Sequence, residues 1–427
     1  MSQLKLKLEK IHVKSVEWGE EESIVDGRLV INKEKLLSAV HDPFFKIVDF
    51  DIANPGESVR IIPVKDVIEP RVKVETENCF PGIIDHYDMC GEGTTRVLEG
   101  CCVTTTGRII GFQEGLIDMQ GLGAVYCPYS KLINIVAIAD PAKEEVDPVQ
   151  HEKAIRLLGI KAANYIGRIA LKAEKVDSEE EYQMQKLSGT CDLPKVAYLQ
   201  LYMAQGLLHD NYVYGMDAKT LPSMLINPNE VFDSAIVSGN CVTSSDKTTT
   251  YDFQNHPVVK ELYSRHGKDL NFVGMAISPI STVLSEKERG AMVSINIIAS
   301  LEPDVVIISQ EGGGNPEADL MLCCERAEKH GIKTVLLMHD NPGDKGISEP
   351  LANTSPMADA IITTGNDNIY IKLPKLDKVI GHMDALPLLS GTPDDWECED
   401  GSVKTGVLVI IGSASELGTG KLCSIEY

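Results

Sequence analysis

The chain has 427 residues, 43% of them hydrophobic and 24% charged, which suits a soluble protein of about two or three domains with a substantial core. A formal net charge of -23 argues against a nucleic-acid binder, because phosphate recognition needs a basic face that releases counterions. Its 11 Cys, an odd number without a C-x-x-C pair, fit neither a disulfide framework nor a zinc ribbon; reduced thiols and no metal site are expected.

Met1 to Glu9 alternates Lys with Leu, which predicts a strand and lacks the continuous apolar region of a signal peptide. Apolar runs such as Ile135 to Ala139 fall far short of the ~18 residues of a membrane span, so a cytoplasmic location without a membrane span is expected. Short Val- and Ile-rich segments follow at Arg28 to Asn32, Ile47 to Ile52, Val59 to Ile62 and Arg71 to Glu75, with a short helix over Lys33 to Val40. The glycine-rich stretch from Gly91 to Gly123 reads as turn-rich β structure, with Glu114 as a solvated hairpin residue. Cys101-Cys102 and Cys323-Cys324 are adjacent pairs, which point apart in either regular structure and are expected to be packing.

A helix is predicted over Val149 to Lys175, with Ile155, Leu158, Ala162, Ile166 and Ile169 at helical spacing. Glu174 to Gln185 is acidic and reads as a solvated connection, after which Lys195 to Met203 returns to a strand pattern. Beyond residue 241, strands at Phe272 to Ser278, Val305 to Ser309, Thr334 to His339, Ala360 to Thr363 and Gly406 to Ile411 alternate at first with helices at Ser281 to Ser300 and Pro316 to Lys329. That order predicts an α/β fold: a β-rich N-terminal module (1–140), a helical segment with strands (141–240), and a mostly parallel α/β sheet domain (241–427). Ligands in such sheets bind at the carboxyl ends of strands, which makes Glu311 and Asn315 candidate substrate-binding residues.

Between these regions lies Asp233 to Asp246, in which Ser238-Gly-Asn240 reads as a tight turn after the apolar run Ala235 to Val237. A Cys placed after a sharply turned Asn is able to attack the preceding carbonyl through sulfur, converting the amide to a thioester. Water would then split the chain and leave Cys241 as an N-terminal nucleophile, as in a hydrolase. Loss of the acylated sulfur by β-elimination would instead leave a pyruvoyl group. A buried inert thiol in a non-catalytic scaffold is the third reading. His209 and Asp246 are candidate acid/base residues, with His256 also near in sequence and Thr243 or Ser244 as oxyanion donors.

Val237-Ser-Gly-Asn-Cys-Val242, Gly206-Leu-Leu-His-Asp210 and Tyr212-Val-Tyr-Gly-Met-Asp-Ala-Lys219 resemble the proprotein of component B of the glycine/sarcosine/betaine reductase complex. Ile52-Ala-Asn-Pro-Gly-Glu-Ser-Val-Arg60, Pro63 to Val74, Gly111 to Met119 and Ile308 to Pro316 match in the same order. The resemblance implies self-cleavage at Asn240-Cys241, with Cys241 becoming the pyruvoyl cofactor that binds the amine of glycine, the first choice, or of sarcosine, with betaine also open. It further implies reductive deamination to acetyl phosphate and ammonia or an amine. The implied partners are a selenocysteine-containing subunit of component B, a small selenoprotein carrier and an acetyl-phosphate-forming component.

Overall fold

In a computed structural model, the chain is described over residues 4–84, 89–108, 114–143, 145–185, 187, 192–205, 211–239, 243–340 and 351–423. It is a mixed α/β protein built on three larger sheets. In the first, Leu6–His12 runs parallel to Gly93–Glu99 and antiparallel to Ser178–Tyr182, and Arg71–Lys73 pairs with the far side of Gly93–Glu99. The last of the four strands in chain order lies where a solvated acidic connection was expected. Lys5, Lys7 and Lys10 meet Glu181, Glu179 and Glu180 at 3.0, 2.7 and 2.6 Å across the pair, so the acidic run is a cross-strand charge ladder.

The second sheet has the order Gly115–Asp118, Val59–Ile68, Cys101–Gly107, Ile133–Pro141, Phe45–Ala53, and Lys378–Gly381 joins it parallel to Val59–Ile68. Cys101 and Cys102 face separate apolar clusters on its two sides, as their alternation predicts. Helix Pro148–Ile169 starts at an Asp147 cap, whose side chain accepts from Gln150 N, and buries all five predicted apolar positions against this sheet. Its close approach depends on glycine: a Cβ at Gly167 would stand 2.2 Å from the Arg71 carbonyl oxygen.

The third sheet positions the site. Five parallel strands lie in the order Asn271–Pro279, Lys195–Tyr202, Val305–Gln310, Lys333–Met338, Ile361–Thr363, with Met224–Ile226 antiparallel at the Asn271–Pro279 edge. By chain position the parallel strands read 2-1-3-4-5, so connections diverge on either side of Lys195–Tyr202 and leave a switch point between it and Val305–Gln310. Helices Leu284–Ala299 and Glu317–Lys329 pack together over the face formed by Ala197, Leu199, Leu201, Val306 and Ile308. The opposite face, with Val196, Tyr198 and Tyr202, packs on Val259 and Leu262 of helix Pro257–Arg265 and on Leu6 and Leu8 of the first sheet. Gly406 to Ile411, expected as a strand, divides into the end of strand Val403–Gly406 and a 3-10 turn over Val407–Val409. No helix among the described residues is long and apolar enough to cross a membrane.

Candidate active site

Asn240 and Cys241, with His209, lie outside the described residues; the described chain runs up to Gly239 and resumes at Thr243. Strand Ile236–Val237 pairs with Tyr212–Val213 and delivers Ser238 and Gly239 into a buried polar region. Ser238 N donates to Thr250 Oγ1 at 2.9 Å, and Thr250 Oγ1 donates in turn to Asp66 Oδ2 at 2.6 Å. Gly239 N donates to Asn211 Oδ1 at 3.1 Å, while the Gly239 carbonyl accepts from Lys247 Nζ. On the exit side the Ser244 and Ser245 carbonyls each accept at 2.9 Å, from Gly412 N and Ala414 N. Thr249 then caps helix Thr250–Gln254 in a reciprocal capping box with Asp252, whose carboxylate also accepts from Tyr129 Oη at 2.5 Å.

Glu311 stands at the carboxyl end of Val305–Gln310, on the switch point. Its Oε2 accepts from Met203 N, just past the end of Lys195–Tyr202, at 2.7 Å and from Asn211 Nδ2 at 2.6 Å. Glu311 is therefore linked to the Gly239 amide by two hydrogen bonds in series through Asn211. Asn315 follows on the exposed rim, where its Oδ1 accepts from Gln205 Nε2 at 2.6 Å. In the turn between them, ahead of helix Glu317–Lys329, Gly314 N already donates to a carboxylate, Glu317 Oε1, at 2.9 Å.

Around Glu311 the fold gathers Asp246, Lys247, His339, Asp367 and Glu416, every one nearly inaccessible to solvent. Burial pushes the Glu311 carboxyl up to about 7, with the Met203 amide and Lys247 restraining the rise and Asp246 adding to it. Asp246 is lifted by burial to about 6 against the attraction of His339, and Glu416 rises well above the ordinary range, chiefly through burial. Burial alone would discharge His339, but Asp246, Asp367 and Glu416 together raise it to about 9, so it is a cation at neutral pH. Its Nε2 lies 3.5 Å from Asp367 Oδ2, and its Nδ1 lies 3.1 Å from Thr364 Oγ1.

Four buried polar atoms here, Asp246 Oδ1, Glu311 Oε1, Asp367 Oδ1 and Gln310 Oε1, make no hydrogen bond among the described residues. An unsatisfied buried group costs about 1–3 kcal/mol, so such a concentration suits a small polar molecule that supplies the missing donors. The arrangement combines carboxyls lifted toward neutrality with Lys247 and His339, a set that can exchange protons with a bound polar molecule.

Of the sequence-predicted residues, Asp246 and Glu311 come together in this cluster and Asn315 sits at the rim. His256 caps helix Pro257–Arg265 through Nδ1, 3.5 Å from Val259 N, and burial holds it neutral, down to about 3. Lys247, His339, Asp367 and Glu416 were not anticipated. His339 alone had a local signal, its place directly after the carboxyl end of parallel strand Lys333–Met338. Glu114, expected in solvent, is buried and paired with Lys65 at 2.7 Å.

The family model for glycine/sarcosine/betaine reductase component B subunits matches residues 4–424. The chain is 44% identical to the glycine reductase complex component B subunits alpha and beta of Acetoanaerobium sticklandii, over 99% of its own length and 100% of the relative's. It is 42% identical to the protein of the same name from Peptoclostridium acidaminophilum, with the same coverage of both. A sarcosine reductase complex component B subunit alpha from that organism is 41% identical, again over 99% of this chain and 100% of the relative. No solved structure matches. A match that spans nearly the whole of both chains, through every strand and helix that builds the cluster, leaves one conclusion: the chain belongs to the family of glycine/sarcosine/betaine reductase component B subunits.

Proposed function

We propose that this chain is the substrate-activating component B of a glycine-type reductase complex, and that it matures by cutting itself at Asn240-Cys241. The observation that carries the proposal is the delivery of Gly239 into a buried cluster of titratable groups at the switch point of a parallel sheet. Attack of Cys241 Sγ on the Asn240 carbonyl forms a thioester and frees the Cys241 amine. β-Elimination then expels the Asn240 thiocarboxylate, and water replaces the nitrogen to leave a ketone and ammonia. The described residues fit such a group, since buried oxygens without hydrogen-bond partners and carboxyls that titrate near neutrality surround the entry to the bond.

The pyruvoyl carbonyl supplies an electrophile for a substrate amine. A zwitterionic amino acid must give up its ammonium proton first, and Asp246 and Glu311, lifted to about 6 and about 7, are poised to accept it. Lys247 and cationic His339 favour the substrate carboxylate in the same enclosure. The relatives' names include glycine and sarcosine, which share that carboxylate and differ at nitrogen; glycine is the substrate assigned first. Selenoprotein partners and an acetyl-phosphate-forming component would complete the reaction, in keeping with relatives named as parts of a complex.

N-terminal sequencing of the downstream piece tests the reading. A blocked end that reacts with hydrazine is the expected result. A readable Cys-Val-Thr start would point to an N-terminal-nucleophile hydrolase, and an intact chain whose Cys241→Ala variant supports full complex activity would point to a scaffold.

A further inference from the structure

We propose that Lys247 and the Asn211–Glu311 pair clamp the Gly239 peptide from two sides and so position the next bond for self-cleavage, an inference that rests on reading Asn240-Cys241 as scissile. Both backbone polar groups of Gly239 are held by side chains from elsewhere in the fold. Its N-H donates to Asn211 Oδ1 at 3.1 Å, and its carbonyl accepts from Lys247 Nζ as well as from the adjacent Ser238 Oγ at 3.1 Å. Asn211 is itself fixed, because its Nδ2 donates to Glu311 Oε2 at 2.6 Å and that oxygen also accepts from Met203 N at 2.7 Å. The strand before it ends at Val237, so neither group of Gly239 belongs to a sheet ladder.

The choice of partner by Lys247 separates this arrangement from ordinary packing. Lys65, Lys73 and Lys287 are as deeply buried, and each reaches a carboxylate: Glu114, Asp233 and Asp319. Lys247 sits in the field of Asp66, Asp246, Asp252 and Glu311, yet its hydrogen bond among the described residues goes to a neutral carbonyl. A lysine serving stability alone would gain more from a carboxylate, since charge-assisted bonds to an anion are the stronger kind.

The geometry explains what the carbonyl contact achieves. The N-H and C=O of one residue lie on successive peptide planes, so fixing both sets the φ and ψ of Gly239 and orients the peptide entering Asn240. Glycine is the residue with the widest conformational freedom, and orientation would otherwise be lost there. Intramolecular attack by sulfur depends on that orientation, because reacting atoms must be held close and aligned. In the first step the Sγ–C bond forms, the C–N bond breaks, and the thiol proton ends on the freed amine. Lys247, Asn211 and Glu311 are positioning residues for that step.

The test follows the 427-residue precursor to its two pieces over time on denaturing gels after cell-free synthesis, for wild type, K247M, K247R and N211A. K247M slows scission by roughly ten- to a hundred-fold, the kinetic equivalent of losing a hydrogen bond to a charged group. K247R keeps a cationic donor and recovers most of the rate, a rescue that a loss of general stability would not show. N211A, which releases the amide side, also slows scission. Hydroxylamine leaves the K247M precursor uncut, because no thioester accumulates. Folded K247M that is cut at the wild-type rate, or K247R no faster than K247M, overturns the clamp. If K247M does not fold, folded N211A cut at the wild-type rate overturns it instead. Wild type that stays one chain overturns the underlying reading, whatever the variants do.

Discussion

Replacing Glu311 by Gln removes a buried carboxyl while keeping an acceptor for Met203 N and Asn211 Nδ2. In a Cys241→Ala background, which keeps the chain whole, the change isolates one titration. Burial lifts Glu311 from an ordinary value of 4.5 to about 7. The folded protein thus holds this proton to higher pH than the unfolded chain. Its contribution to stability is complete below about pH 4.5 and is lost as pH rises through about 7. At about 1.4 kcal/mol per pH unit the loss approaches 3 kcal/mol by about pH 8. Urea unfolding of parent and variant should therefore diverge, with Glu311→Gln gaining about 2–3 kcal/mol on the parent between about pH 5 and pH 8. Parallel pH profiles would refute the reasoning, since they would mean that Glu311 ionises in the folded chain as it does in water.

Asp118 and Arg60 form a buried two-point pair at 2.7 and 2.8 Å, so Asp118→Asn strands a guanidinium and should cost about 3–5 kcal/mol by urea unfolding. Gly167→Ala drives a methyl against the Arg71 carbonyl, 2.2 Å from the new carbon, and should lower stability by about 1–3 kcal/mol in a thermal melt. After scission the two pieces should co-elute in gel filtration and separate only in denaturant. Lys195–Tyr202 is hydrogen-bonded on both sides by strands from beyond residue 241, and Lys378–Gly381 pairs back with Val59–Ile68.

Much of the parallel sheet was legible locally. Val305 to Ser309 and Thr334 to His339 are apolar runs bounded by turn residues, and the helix between them opens at Pro316 and closes before Gly331, so their bounds lie close to those predicted. The strand Ser178–Tyr182 was not, because three consecutive Glu carry no β signal until Lys5, Lys7 and Lys10 face them from the far end of the sequence. Glu114 was misread for the same reason, its partner Lys65 lying 49 residues upstream. The candidate site divides along the same line. The position of Glu311 at a strand end was legible. His339 had its place after a strand end to mark it, whereas Lys247, Asp367 and Glu416 matter only through the enclosure they share, which spatial folding creates and sequence spacing does not express. Adjacent Cys101 and Cys102 were read rightly because alternation is a local property of a strand.

The most direct measurement is the intact mass of active wild-type protein, taken alongside its turnover in the assembled complex. The account predicts two pieces, of 240 and 427 - 240 = 187 residues, the second lacking the sulfur and the amine nitrogen of Cys241. A single uncut chain of 427 residues with full turnover, its sulfur retained, would contradict it.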